Sequence, residues 1–325
     1  MLFSPVFSPQ AMHIPDGFLS VIVSIVLWVI SAIVVGIALK KTNNELGERE
    51  APLMGILAAA IFAGQMLNFS VTGGTSGHLL GAAIAVILLG PWPAILVMTS
   101  VVSVQALLFQ DGGILALGAN IMNMAIVGVF VAYTVFALVS YLFKKQSRGI
   151  YVAGFVAAWS SIFLASLFCA LQLAVSGTSP ANISIPAMGA IHALIGIGEG
   201  LITTGALVLL SATRKDLLRV GDNKPASNKG VLIGGSILVL ALVALSPMAS
   251  SHPDGLEWVA DQHGFIELAK ASLIQIVPDY AIPGISNIAL ATIAAGILGA
   301  VIVFSVAYGI ARTAIPTSTQ ESNQR

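Results

Sequence analysis

Between Leu19 and Leu39 the chain carries no charged side chain. A run of about 20 apolar residues is what one helix needs to cross the hydrocarbon core of a bilayer. Apolar runs follow at Pro52 to Asn68, the short Leu79 to Leu89, Ala94 to Phe109, Ile114 to Phe143, Tyr151 to Val175, Met188 to Ala212 with Glu199 inside it, Val231 to Leu245 and Gly284 to Ala311. Backbone that meets no water must satisfy its own hydrogen bonds, so spans built from such runs are helices. With 57% apolar and 9% charged residues, the chain is read as an all-α polytopic membrane protein. Fourteen basic residues balance fourteen acidic ones, which argues against nucleic acid as a partner. The chain has no G-x-x-x-x-G-K-[ST] loop, so ATP hydrolysis would have to come from another chain. Its single cysteine, Cys169, lies in an apolar run and provides no disulfide framework.

Lysine and arginine mark the cytoplasmic side of a membrane protein. With nine spans and the N-terminus outside, Lys40, Lys41, Arg49, Lys144, Lys145, Arg148, the group from Arg214 to Lys229, Arg312 and Arg325 all fall on that side, and Lys270 is the exception. The expected organisation is a seven-helix unit over 12–212, a cytoplasmic linker over 213–230, and a two-helix hairpin over 231–325 that ends in the cytoplasm. The hairpin's outer loop, Ala249 to Pro283, holds Phe265 to Ile276, whose apolar spacing predicts a short amphipathic surface helix. Residues 1–11 have no basic n-region and match no secretory signal. They read either as a misassigned start or as a leader removed after Ala11, with the first preferred.

The chemistry concentrates at Met12-His13-Ile14-Pro15-Asp16-Gly17-Phe18. If Met12 carries a free amine, that amine, the His13 amide and His13 Nδ1 close a five-membered and then a six-membered chelate ring. One further imidazole would complete a square plane, which suits Ni(II) or Cu(II) better than zinc or magnesium. His78 follows the polar stretch Thr72-Gly73-Gly74-Thr75-Ser76-Gly77, which is too glycine-rich for a helix. Irregular backbone at membrane depth is tolerated only where protein buries it or a cavity needs it, so this stretch is a candidate gating loop. A lone histidine is more often a hydrogen-bonding residue than a ligand. His13 and His78 stand out because both fall at the outer membrane face, where an ionisable group is costly.

His192 and Glu199 lie two turns apart on one helix face. They either orient a ligand, a role for which Asp16 and Asn68 are also candidates, or bond between helices. Their spacing is not the H-E-x-x-H of zinc proteases. Pro15-Asp16-Gly17 recurs as Pro253-Asp254-Gly255, which turn chemistry accounts for; in the first copy Pro15 also stiffens the arm that carries His13. Asn120, Met122, Asn123 and Met124 either line an entry path or fill core space, as methionine commonly does. Gly55, Ala59 and Ala63 make a flat helix face suited to docking a partner.

Over Met12 to Phe18, Gly73-Gly74-Thr75-Ser76-Gly77-His78-Leu79 and His192-Ala193-Leu194-Ile195-Gly196-Ile197-Gly198-Glu199-Gly200, the chain resembles the CbiM/NikM family. These are the substrate-capturing membrane subunits of energy-coupling-factor transporters for nickel and cobalt. The tail, with His252-Pro253-Asp254-Gly255-Leu256-Glu257 and Pro278-Asp279-Tyr280-Ala281-Ile282-Pro283-Gly284, resembles their small N-type companion subunit, here fused. The resemblance implies a seven-helix component of a bacterial or archaeal plasma membrane. In it the Met12 amine, the His13 amide and imidazole, and the His78 imidazole surround a Ni(II) or Co(II) cargo. It also implies a transmembrane coupling subunit and cytoplasmic ATPases as partners, and no enzymatic activity. The eleven residues before Met12 depart from this pattern, because they would turn the amine into an amide. Planar geometry favours nickel over cobalt. Two rival readings are a membrane metalloenzyme using His192 and Glu199, and a self-sufficient metal carrier or channel.

Overall fold

A computed structural model describes residues 13–43, 50–143, 148–218, 228–271 and 274–314. Met12 and residues 1–11 lie outside the described residues, so the expectations placed on them have no structural counterpart. The elements run α1 (Val21–Thr42), α2 (Glu50–Gln65), a hairpin of β1 (Phe69–Val71) and β2 (Thr75–Gly77), α3 (Ala82–Leu89), and α4 (Pro91–Val104). They continue with α5 (Leu117–Asn120), α6 (Gly128–Leu142), α7 (Gly149–Val175), α8 (Ala181–Thr213), α9 (Asn228–Leu245), α10 (Gly255–Gln262) and α11 (Ile288–Ala314). Wider π-helical turns extend α4 over Gln105–Phe109 and join α5 to α6 over Ile121–Val127.

Seven of these helical stretches are long and apolar enough to cross a membrane. They correspond to seven of the nine expected spans. The other two, Pro52 to Asn68 and Leu79 to Leu89, become α2 with 16 residues and α3 with 8. Both are shorter than a bilayer needs because the chain leaves the helix at Gln65 for the hairpin and re-enters it only after Gly81, whose φ is +82°. Neither must face lipid along its length, since α3 is buried at every position and α2 at most of them.

The two helices of the C-terminal region do not pair mainly with each other. Both pack on α2, and α11 also runs along α4. Small residues permit the approach: a Cβ on Gly299 would lie 2.2 Å from Phe62, and one on Gly235 would lie 2.2 Å from Ile56. The stripe Gly55, Ala59 and Ala63, expected to be an open docking face, is buried. Gly55 sits against Phe304 of α11, where a Cβ would come within 2.9 Å. Small residues do make the helix contact there, but the partner comes from the same chain.

The amphipathic helix expected over Phe265 to Ile276 does not form among the described residues. A short 3-10 turn, Ile266–Leu268, leads into extended chain that bridges Lys270 to Asp16. Its apolar side chains are used against the N-terminal arm: Phe265 meets Phe18 edge-on at 5.3 Å between ring centres. The helix of this loop forms earlier, as α10, where the Asp254 carboxylate accepts from the Glu257 amide at 2.8 Å. Such a cap is worth about 1 kcal/mol.

Candidate metal centre

The arm from His13 to Leu19 is inlaid between two surfaces. On one side, Asn120 grips Ile14 reciprocally: its Oδ1 accepts from the Ile14 amide and its Nδ2 donates to the Ile14 carbonyl, both at 3.0 Å. The Gly113 amide donates to the same carbonyl at 2.9 Å, and Asp16 Oδ1 accepts from the Ala116 amide at 2.9 Å. On the other side, Lys270 of the C-terminal region donates its amide to the Asp16 carbonyl at 2.7 Å. The Thr178 hydroxyl donates to the Phe18 carbonyl. Asp16 therefore fixes the arm's path.

This anchoring buries His13. Its Nδ1 lies 3.2 Å from the Asp111 carbonyl and 3.1 Å from Asp111 Oδ1. Asp111 follows the π turn and Gln110, whose φ of 62° reverses the chain. Its other oxygen accepts from the Tyr280 hydroxyl at 2.5 Å, and Tyr280 stacks on Phe109 at 4.8 Å and 11°. Burial works against a charge on His13, but the neighbouring Asp111 carboxylate and its hydrogen bonds outweigh it and hold the imidazole above its ordinary value. Burial alone would raise Asp111, yet the His13 charge and the bonds from His13 and Tyr280 hold it low. Burial and the Asp111 charge push the Tyr280 hydroxyl well up, which keeps it a donor.

His78 comes from the opposite wall. Its ring centre is 5.5 Å from that of His13 and nearly perpendicular to it. Two imidazoles sharing one ion through bonds of about 2 Å place their ring centres roughly 4.5–6.5 Å apart, depending on the angle at the ion. The separation suits a shared ion. His78 Nδ1 lies 3.1 Å from the Leu79 carbonyl. Just beyond it, both oxygens of the buried Glu199 accept main-chain bonds, from Leu80 at 2.7 Å and Gly81 at 3.0 Å. Glu199 thus clamps the backbone that presents His78. His192, on the same helix as Glu199, keeps its Nδ1 2.8 Å from the Met188 carbonyl.

The stretch Thr72 to Gly77 forms the turn and second strand of the hairpin, with Phe69 opposite Gly77. Thr72, Gly73 and Gly74 are exposed at the tip, whereas Thr75, Ser76 and Gly77 are buried. The C-terminal region clasps this hairpin: the Ser76 amide donates to Pro253 O at 2.8 Å, the Ser76 hydroxyl to His252 O at 2.8 Å, and Trp258 Nε1 to Gly73 O at 3.2 Å. Asn68 lies outside the cavity lining, and its carbonyl accepts from Ser250 of the same region at 2.8 Å.

A cavity of about 80 Å³ opens between these walls, lined by His13, His78, His192, Asn120, Asn123, Met124 and Asp254 among others. Of the four residues considered for an entry path, Met122 is the one outside its lining, and Asn123 donates its Nδ2 to Gln172 Oε1 at 3.1 Å while Gln172 Nε2 donates to Asn123 Oδ1 at 2.6 Å. Among the described residues, no three His, Cys, Asp or Glu side chains converge into a metal cluster. Sequence reasoning missed Asp111, Tyr280 and Asp254 as members of the site. Asp111 and Asp254 sit beside glycines and carry turn signals. Tyr280 reaches Asp111 across a sequence separation of 169 residues, which no local pattern records.

Residues 13–217 match the CbiM family model, described as a cobalt uptake substrate-specific transmembrane region. The chain belongs to that family. Residues 228–315 match a second model, the PDGLE domain, so the family's transmembrane region is fused here to an N-type domain. Over 311 residues the chain is 37% identical to a putative fused nickel transport protein of Archaeoglobus fulgidus, covering 93% of this chain and 99% of that one. It is 30% identical to a fused nickel transport protein of Rhodobacter capsulatus, covering 84% of each. A solved structure described as a truncated transition metal transporter superposes with a TM-score of 0.56 at 34% identity, over 62% of this chain and 98% of that one. CbiM-type proteins are transport components, and this one is a multi-pass protein of the plasma membrane.

Proposed function

We propose that the chain is the substrate-capturing component of an ATP-driven importer of the energy-coupling-factor type, with Ni(II) the favoured cargo and Co(II) the alternative. One observation supports this above the others: His13 and His78 stand edge to face at one cavity, each presented by backbone that other buried side chains fix. These two imidazoles are the ligands, and Met12 adds its amine where the mature chain begins there. The hairpin from Thr72 to Gly77 is the gate, and Asp16, Glu199 and His192 orient the walls. In this reading residues 12–212 capture the ion, 213–230 link the units on the cytoplasmic side, and 231–325 form the N-type unit, with residues 1–11 absent from the mature chain. The N-terminus lies outside and the C-terminus inside. A coupling subunit and cytoplasmic ATPases drive release.

The metalloenzyme reading is disfavoured because both Glu199 oxygens are engaged by Leu80 and Gly81 amides, which leaves the carboxylate poorly placed to act on a substrate. Uptake of radiolabelled nickel by membrane vesicles tests the proposal. Vesicles holding the chain with its coupling and ATPase subunits accumulate nickel only with ATP inside their cytoplasmic face. Equal accumulation by the chain alone would establish a carrier or channel instead.

A further inference from the structure

We propose that the cytoplasmic half of α6 is the docking face for the transmembrane coupling subunit, with the Tyr133 hydroxyl bonded to an acceptor on one of that subunit's helices. This rests on the reading of the chain as one component of a larger importer with its lysine-rich side inward. The small-residue face of α2, the other candidate for such a contact, is already filled by α11.

The fold leaves this stretch of α6 open. Both α3 and α4 pack against α6, but α3 has only 8 residues, and the chain turns back at Gly90, whose φ is 84°. The turn meets α6 where Trp92 stands edge-on to Phe130, 5.5 Å between ring centres. Beyond Ala132 no residue of α6 is buried, and Tyr133, Thr134, Ala137, Leu138, Tyr141 and Leu142 are exposed. They recur at helical spacing and share one face. The α3–α4 pair thus stops short of the inner end of α6 and leaves that face without a neighbour.

The chemistry of the face is wrong for lipid. Tyr141 lies near Lys144 and Lys145 in sequence, where tyrosine suits a membrane surface. Tyr133 lies about 12 Å deeper, at 1.5 Å of rise per residue. Its side chain leans toward the N-terminus of α6, away from the inner surface, so it does not reach the headgroups. It is 46% exposed, and its hydroxyl has no partner among the described residues. A donor left in hydrocarbon is costly. By contrast, α1 exposes Ile22, Ile25, Val29, Ile33 and Ile37 and buries Ser24 and Ser31, as a lipid face requires. On α6 the Thr134 hydroxyl is spent on Phe130 O at 2.8 Å, and Ala137 is small enough to let a second helix approach. Charge selects the occupant. Lys144, Lys145 and Arg148 follow α6 in sequence, and a two-fold pair of copies would set these cations against their own counterparts. A helix of a different subunit, with an acceptor at the depth of Tyr133 and acidic residues near the inner surface, meets both requirements.

The test places the photoreactive residue p-benzoylphenylalanine at Leu138, and separately at Ile33 of α1, in the full chain coexpressed with its coupling and ATPase subunits. Irradiated membranes are expected to give a cross-link to the coupling subunit from position 138 in clear excess over position 33. Equal yields from the two positions, or a cross-link from position 138 only to lipid or to a second copy of the chain, would overturn the inference. Two unlabelled variants make the same point. Ala137→Trp should bind Ni(II) as the wild type does in a calorimetric titration, which shows that it is folded, yet copurify with little or no coupling subunit. Tyr133→Phe should retain about threefold less of it, the size of an average interhelical hydrogen bond in a bilayer; unchanged retention would remove the hydroxyl's role. Full copurification and ATP-driven uptake with Ala137→Trp would overturn the inference and leave the importer reading standing. A wild-type chain that accumulates nickel without ATP and copurifies with no coupling subunit would take both down.

Discussion

Glu199 sits in α8, the longest helix among the described residues, where an ionisable side chain is costly, and both its oxygens are engaged by the amides of Leu80 and Gly81. In Glu199→Gln the amide oxygen satisfies one of those two donors well, and the other is left poorly paired. An unmet buried N–H costs about 1–3 kcal/mol. Because those amides lie two and three residues after His78, nickel affinity in a calorimetric titration should fall roughly tenfold, since 1.4 kcal/mol corresponds to a factor of ten. Asp254 makes a different prediction. Burial and the neighbouring Glu257 push its carboxyl well above the usual range. A carboxyl raised on folding binds more protons in the native state, so its contribution is intact below the unfolded value of about 3.9 and is lost as pH rises through the folded one. Asparagine caps a helix as well as aspartate does and carries no charge. In the metal-free protein, Asp254→Asn should therefore raise the melting midpoint at neutral pH. The difference should vanish below about pH 4.

At the scale of elements, the N-terminal arm works because two glycines let it lie flush against the loop after α4. A Cβ at position 113 would fall 2.0 Å from Asp16 Oδ1 and 2.3 Å from the Asp16 amide, and one at position 112 would meet Asn120 and His13. Gly113→Ala should lift the arm and abolish nickel capture while the seven long helices persist, which near-complete loss of calorimetric heat alongside an unchanged helical circular dichroism spectrum would register. Much of this level was legible in the chain. Runs such as Leu19 to Leu39 announce membrane helices by length alone, and His13 and His78 stand out as histidines on irregular backbone. The short α2 and α3 were less legible, because an apolar run looks the same whether lipid or neighbouring helices surround it. The flat face of Gly55, Ala59 and Ala63 was visible as a contact surface, but its partner α11 lies far along the chain. Asp111 carried the local signature of a turn, and the imidazole it holds is 98 residues away.

For the whole molecule, the C-terminal region is built against the proposed capture site: it covers the arm at Lys270, clasps the hairpin at Pro253, and reaches Asp111 with Tyr280. Its seat is α2. Expressed as two polypeptides, 12–218 and 228–325 should copurify, and Gly55→Leu should separate them, because a larger side chain there collides with Phe304; stable copurification of that variant would show that the loop contacts suffice. The account as a whole stands on two imidazoles gripping one ion. The most direct measurement is a calorimetric titration of the purified full chain with Ni(II), repeated on His13→Ala and His78→Ala. The account predicts one ion per wild-type chain and at least a hundredfold loss of affinity in either variant, on the order of 3 kcal/mol. Unaltered binding in either one would contradict it.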